Sequence, residues 1–243
     1  QQTLKGPISF SGKGLHTGVE VTMTVNPAGV DNGIVFRRID VEGTPLVPAL
    51  CDNVTDTSRG TTIESNGVKV STIEHIMSAL WTLGVDNALI DIDAAEAPIM
   101  DGSAREYAEK IVATGLVEQD ADRKYYQVTE KMVYTIPDKG VSIILKEDIC
   151  ITGGYLNNLE LRFTNELARH KLLDLLGDLA LLGMRIKGRV WASRPGHFAN
   201  TEFMKQLRRT IRKEGERPRY KYDCRKTPVY DINDIRRMLP HRP

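Results

Sequence analysis

Cysteine is scarce in this chain of 243 residues. The three present, Cys51, Cys150 and Cys224, are an odd number with no close spacing. That excludes a disulfide framework and a cysteine-ligated zinc site, and it fits a reducing, cytoplasmic setting. Aromatic residues make up only 6% of the chain. Their placement does not amount to the aromatic and basic interleaving that supports RNA binding. No apolar run approaches the roughly 20 residues of a membrane-crossing helix, and "QQTLKGPISFSGKGLHTG" at the start has no signal-peptide apolar region. Net charge is nearly absent too, with 33 Lys and Arg against 32 Asp and Glu. The balance is uneven along the chain. From Lys205 onward 13 basic residues face 5 acidic ones, leaving 20 against 27 before that point. A basic tail can contact nucleic acid or an anionic surface, but a solvated connector has the same composition. The connector is the reading adopted, with no nucleic-acid partner expected.

What is present is 41% hydrophobic residue content, enough in this length for one large domain or two small ones. "PISFSGKGLHTGVEVTMTVNPAGVDNGIVFRRID" alternates short β-rich runs with Gly, Asn and Pro breaks, predicting three strands. "GTTIESNGVKVST" predicts a hairpin around Asn66-Gly67. Ser71 or Thr72 then caps a helix, "IEHIMSALWTLG", closed by Gly84. A strand comes next in "NALIDIDA", and a second helix starts near Ser103. The second half repeats the theme. "KYYQVTEKMVYTIPDKGVSIILK" reads as two strands with a turn at Pro137 to Gly140, and "LNNLELRFTNE" as a strand. The helix "LARHKLLDLLGDLALLG", a strand in "RIKGRVWASRPG" and the helix "HFANTEFMKQLRRTIRKE" complete it. In each half a strand leads into a helix with a His near its start and a Leu-Gly end. The pattern implies an internal duplication giving two related α+β domains. The boundaries expected are 1–122 for the first domain, 123–213 for the second, and 214–243 for a linker and a short C-terminal piece of a further domain.

The chemistry gathers at the starts of the two corresponding helices. His170 and Asp174 lie four residues apart, so they share a helix face at about 5–6 Å. That suits two ligands of one small metal ion, and His75 can supply a third if the helix starts meet. Zinc accepts His nitrogen and Asp oxygen, and catalytic zinc sites use three protein ligands. A lone His on an apolar helix is ordinarily a core or rim residue, and an i,i+4 His–Asp pair is often a surface hydrogen bond. Two equivalent helix starts, each with a His beside a carboxylate, argue for the metal. Glu74, next to His75, points about 100° away around the helix and can act as general base on water. His197 opens the last helix and can protonate a leaving amine or steady an oxyanion. Asp178, one turn beyond Asp174, can orient His197.

Together "SGKGLHTG", "STIEHIMSAL", "APIMDGSA", "RHKLLDLLGDLALLG" and "GHFAN" resemble the UDP-3-O-acyl-N-acetylglucosamine deacetylase family of Gram-negative bacteria. That family's zinc amidase catalyses the committed step of lipid A synthesis. The resemblance implies zinc as cofactor, with His75, His170 and Asp174 as ligands, Glu74 as base, and His197 supported by Asp178. It implies Lys171, near the nucleotide diphosphate, and His16 as substrate-binding residues, and hydroxamate-type zinc-binding inhibitors as ligands. The implied fold is two α+β domains, each a small sheet with two helices, the helices packed between the sheets. Two departures stand out. Between about Lys146 and Asn157 the family carries several tens of residues more, where this chain has only "EDICITGGYL". Either the segment is deleted or the sequence omits it. The junction at "EDIC" does not continue the preceding strand naturally, which favours omission. True deletion would favour the alternative function, a non-catalytic nucleotide-sugar or metal-binding module. The second departure is the tail, "YDINDIRRMLPHRP". It resembles the opening of 3-hydroxyacyl-[acyl-carrier-protein] dehydratase, with His241 at the place of a catalytic His. It implies a bifunctional fusion with a dehydratase domain downstream, of which 214–243 holds the linker and the truncated start.

Overall fold

The computed structural model describes residues 1–128, 131–146, 150–152 and 166–214. The strand expected in "LNNLELRFTNE" (Glu166 apart), the connector beyond residue 214 and the tail with His241 lie outside the described residues. The first half runs β1 (Gln2–Leu4), β2 (Ile8–Lys13), β3 (Glu20–Pro27), β4 (Ile34–Arg38) and β5 (Leu46–Pro48). A small antiparallel sheet of β6 (Val54–Asp56), β7 (Thr62–Ser65) and β8 (Val68–Val70) comes next. Then come α1 (Glu74–Leu83), β9 (Ala88–Ile92), α2 (Arg105–Thr114) and β10 (Leu116–Glu118). The main sheet has the order β2-β3-β9-β4-β5, and β1 pairs with β10 beside it. Strand alternation puts Phe10, Met23, Val25, Phe36, Ile90 and Ile92 fully in the core. The expected hairpin forms between β7 and β8, with Asn66 at φ 50° and Gly67 at φ 79°. Positive φ at both turn residues matches the right-handed strand twist.

The second half runs β11 (Tyr125–Gln127), β12 (Met132–Ile136), β13 (Val141–Lys146), β14 (Cys150–Thr152), α3 (Glu166–Ala180), β15 (Arg185–Lys187), β16 (Arg189–Ser193) and α4 (His197–Glu214). Its sheet has the order β12-β13-β16-β14. The duplication is visible in this order. In the first half, β2 pairs antiparallel with β3, β3 antiparallel with β9, and β9 parallel with β4. In the second, β12, β13, β16 and β14 pair in the same sequence of senses. In both halves an interior strand of the sheet, β9 in the first and β16 in the second, comes from the stretch between the two helices. The architecture is α+β, and the helices meet between the sheets, with α1 packed against α3 and α2, and α4 against α3.

Three local expectations are corrected. "RIKGRVWASRPG" is two strands in different sheets, divided at a bend at Gly188; a glycine inside a strand pattern commonly marks such a break. "KYYQ" adds β11, which pairs in parallel with β15, so that stretch holds three strands rather than two. α1 is not capped by Ser71 or Thr72, because its N-cap is Ile73 with no side-chain cap bond. The two hydroxyls have tertiary partners instead: Thr72 Oγ1 donates to Glu96 Oε1 at 2.9 Å, and Ser71 Oγ to the Ala95 carbonyl at 3.1 Å. The C-terminal end agrees with expectation, with Gly84 in the left-handed region at φ 92°.

Candidate active site

α1 is buried along Glu74 to Leu80, so its first turn takes Glu74 and His75 into the core. α3 is amphipathic. Leu175 and Leu179 face inward, and the i,i+4 spacing of His170, Asp174 and Asp178 leads from solvent into the interior, where Asp174 and Asp178 are buried. The packing of α3 on α1 brings His75, His170 and Asp174 together, with one potential ligand atom from each within 4.8 Å of the others. The His75 and His170 rings meet edge to face at 5.5 Å between centroids. His170 Nε2 lies 3.5 Å from Asp174 Oδ1.

Two observations test whether these residues fit a metal ion. His75 Nδ1 and Asp174 Oδ1 are both buried without a hydrogen-bond partner. Leaving a buried polar atom unmade costs about 1–3 kcal/mol, so two such atoms within one trio call for a partner. Burial, then the neighbouring His170, pushes the His75 imidazole down to about 4. At neutral pH His75 is therefore the neutral imidazole that a metal needs. Two imidazoles and a carboxylate suit zinc, and the trio fits it.

The second cluster lies beside the first. His197 starts α4 and sets its Nδ1 3.0 Å from Asp178 Oδ2. Asn200, one turn into α4, donates from Nδ2 to the same oxygen at 2.9 Å. His197 Nε2 lies 3.9 Å from Glu74 Oε1. Burial raises the Glu74 carboxyl above its usual range, against the His197 charge and the Thr61 N–H. For His197, burial works downward, but the Asp178 hydrogen bond and the charges of Asp178, Glu74 and Asp174 outweigh it and hold the imidazole at about 9. A carboxylate pushed up and an imidazole pushed up, facing one another, make a base and an acid suited to neutral pH.

Of the other expected residues, His16 sits at the exposed rim. Its Nε2 is 3.1 Å from the Arg59 carbonyl, next to the Gly60-Thr61 stretch that lines the second cluster. Lys171 donates from Nζ to Asp174 Oδ2 at 3.0 Å, on the carboxylate oxygen opposite the unpartnered one. Sequence reading missed Thr61, Asn200 and Glu96. Thr61 meets partners 13, 117 and 136 positions away, so nothing local marks it. Asn200 lies in the quoted "GHFAN", one turn from His197, and that spacing was a usable signal. Buried Glu96 accepts from the His16 N–H at 3.0 Å, the Thr17 N–H at 2.8 Å, and the hydroxyls of Thr17 and Thr72. It anchors the "GLHTG" loop, and so the backbone of His16.

The family LpxC, UDP-3-O-acyl N-acetylglycosamine deacetylase, matches residues 1–153 and 142–209. The chain belongs to this deacetylase family. It is 37% identical to a Bacteroides thetaiotaomicron protein named Bifunctional enzyme LpxC/FabZ, covering all of this chain and 71% of that protein. A Porphyromonas gingivalis protein of the same name is 35% identical with the same coverage. A UDP-3-O-acyl-N-acetylglucosamine deacetylase of Geotalea uraniireducens is 35% identical over 85% of this chain and 88% of its own length. The Bacteroides alignment spans 330 positions against 243 residues here, so 330 less 243, about 87, have no counterpart in this chain. The two family matches overlap at 142–153. The shorter stretch expected between Lys146 and Asn157 falls at this junction, and residues 147–149 and 153–165 lie outside the described residues.

Proposed function

We propose that the chain hydrolyses the acetamide of UDP-3-O-(3-hydroxyacyl)-N-acetylglucosamine, the committed step of lipid A biosynthesis, with zinc held by His75, His170 and Asp174. The observation that carries the reading is the convergence of two clusters at one place. A trio with unpartnered ligand atoms adjoins a Glu74–His197 pair whose proton affinities are both raised. Zinc bound there supplies Lewis acidity, polarising the amide carbonyl and making water a stronger acid.

The protein's own groups handle the protons. Glu74 Oε2 is fixed by the Thr61 N–H at 3.0 Å, which leaves Oε1 free to take a proton from the attacking water. As the water oxygen bonds to the carbonyl carbon, His197 beside it bears positive charge and steadies the negative charge building on oxygen. The carbon–nitrogen bond then breaks, a proton passes to the leaving amine, and acetate and the free amino sugar depart. The 3.9 Å between Glu74 Oε1 and His197 Nε2 lets the two groups address separate atoms of the reacting amide. His16 and Lys171, at the rim, are proposed to hold the nucleotide sugar, and a hydroxamate would compete as an inhibitor by binding the same metal. The reading assigns the first domain to 1–122, the second to 123–213, and the reaction to the cytoplasm. Among the described residues no helix is long and apolar enough to cross a membrane.

The tail supports a further part of the reading. Relatives named as bifunctional align with all of the chain, whereas the Geotalea deacetylase aligns with 85%. We therefore propose a dehydratase partner domain joined after residue 213.

The test is product analysis. Incubating the purified chain with the acylated nucleotide sugar should release one acetate per free amine formed. The shortfall of about 87 positions motivates a second reading, a metal-binding or nucleotide-sugar-binding module without turnover. Binding with no acetate release would select it.

A further inference from the structure

Thr61 bonds to Glu74, Asp178 and His197, yet it lies outside both helices that carry the proposed metal ligands. It is fully buried, just before β7. Its N–H donates to Glu74 Oε2 at 3.0 Å. Its Oγ1 lies 2.6 Å from Asp178 Oδ1 and 3.1 Å from His197 Nδ1. An ionised carboxylate only accepts hydrogen bonds, so the Thr61 hydroxyl proton must point at Asp178. Only lone pairs of that hydroxyl then face His197 Nδ1. Asp178 Oδ2, at 3.0 Å, is also an acceptor. A ring nitrogen facing two acceptors has to carry a proton.

We propose that Thr61 is a positioning residue that, together with Asp178, locks one His197 proton on Nδ1, so that the proton the ring exchanges is the one on Nε2, facing the substrate. Glu74 and His197 are then set by one residue through two different atoms, the backbone N–H and the side-chain hydroxyl. The hydroxyl blocks the alternative arrangement in which Nδ1 is the bare nitrogen and Nε2 holds its proton permanently. This inference rests on the deacetylase reading for its kinetic part, but its tautomer part does not.

The experiment compares Thr61→Val, which keeps the branched shape and the N–H but loses the hydroxyl, with Thr61→Ser, which keeps the hydroxyl. Both are made in the full chain loaded with zinc. Ring ¹⁵N spectra of His197, assigned by comparison with His197→Ala, are recorded without substrate at a pH high enough for the ring to be neutral, where only one nitrogen holds a proton. Wild type and Thr61→Ser should show Nδ1 protonated, and Thr61→Val should show a mixed or shifted pattern. With the nucleotide substrate, Thr61→Val should lose kcat by about 10–100-fold, the range typical of removing an orienting partner, with KM and zinc content retained. Thr61→Ser should stay within about threefold of wild type. An unprotonated Nδ1 in the wild-type spectrum overturns the proposal even if Thr61→Val does not fold. So does a folded Thr61→Val with an unchanged spectrum and kcat, or a Thr61→Ser as impaired as Thr61→Val. A wild-type chain that releases no acetate would remove the deacetylase reading and leave the spectral test standing.

Discussion

Gly177 of α3 lies directly on the backbone of Glu74 in α1. A Cβ at Gly177 would clash with the Glu74 carbonyl oxygen and sit 2.8 Å from its Cα. Real Cβ atoms do not approach backbone that closely, so α1 and α3 can pack at this distance only because residue 177 has no side chain. The proposed metal trio draws His75 from one of these helices and His170 and Asp174 from the other. The spacing that glycine permits is therefore also the spacing of the ligands.

Gly177→Ala gives a prediction with a decisive sign. In an unobstructed helix interior, replacing Gly by Ala stabilises by about 0.5–1 kcal/mol. Here the added methyl overpacks the helix contact and should destabilise by about 1–3 kcal/mol. Zinc affinity should fall with it as the helices move apart. Denaturant unfolding and zinc titration check both. A more stable variant with unchanged zinc affinity would mean the contact is not tight.

The proposed metal ligands can be tested one at a time. His75→Ala, His170→Ala and Asp174→Ala should each lower zinc occupancy as well as turnover, since a three-ligand site loses much of its hold with one ligand gone. Metal analysis of the purified variants decides this, and three variants with full zinc would mean the ligands are assigned wrongly.

Glu96 and His16 separate loop anchoring from substrate contact. Glu96→Ala strips the acceptor from the N–H groups of His16 and Thr17 and from two hydroxyls. It should cost about 1–3 kcal/mol of stability. His16 is exposed, so His16→Ala should leave stability and zinc content unchanged while raising KM. A His16→Ala variant with unaltered KM would remove it from the substrate site.

How far the sequence could be read depended on the range of each contact. The i,i+4 spacing of His170 and Asp174 is a local property of a helix, so the shared face was legible before any fold was known. Asp178 beside His197 was legible because both residues sit at fixed positions on the two helices of one repeat unit. The cap of α1 was misread because Thr72 forms its hydrogen bond with Glu96, 24 positions away, rather than with its own helix. Thr61 was missed for the same reason on a larger scale. The division of "RIKGRVWASRPG" into two sheets depends on β11 and β13 as partners, which no local pattern in that stretch reveals.

His197 makes the stability of the metal-free chain depend on pH. Its folded value of about 9 lies above the ordinary 6.5. The group therefore binds its proton more tightly when folded, and its contribution is fully present below about pH 6.5. That contribution is lost as pH rises through about 9. The gap between the two values corresponds to an upper limit on the order of 3 kcal/mol. A bound dication would oppose this, so the metal-free protein is the one to measure. Urea unfolding at pH 6, 7.5 and 9 should show stability falling across that window in wild type and a flatter profile in His197→Ala. Parallel profiles would mean that the His197 proton is not held by the fold.

The most direct test of the central claim, that separate residues hold the metal and move the proton, is made on Glu74→Gln. The change keeps size and hydrogen-bonding reach but removes the basic carboxylate. Zinc content and kcat are measured on the same purified sample. The expected result is about one zinc per chain, as in wild type, with kcat lower by about 10²–10⁴-fold, the range for losing a positioned base. Glu74→Gln with full zinc and near-normal kcat would contradict the account.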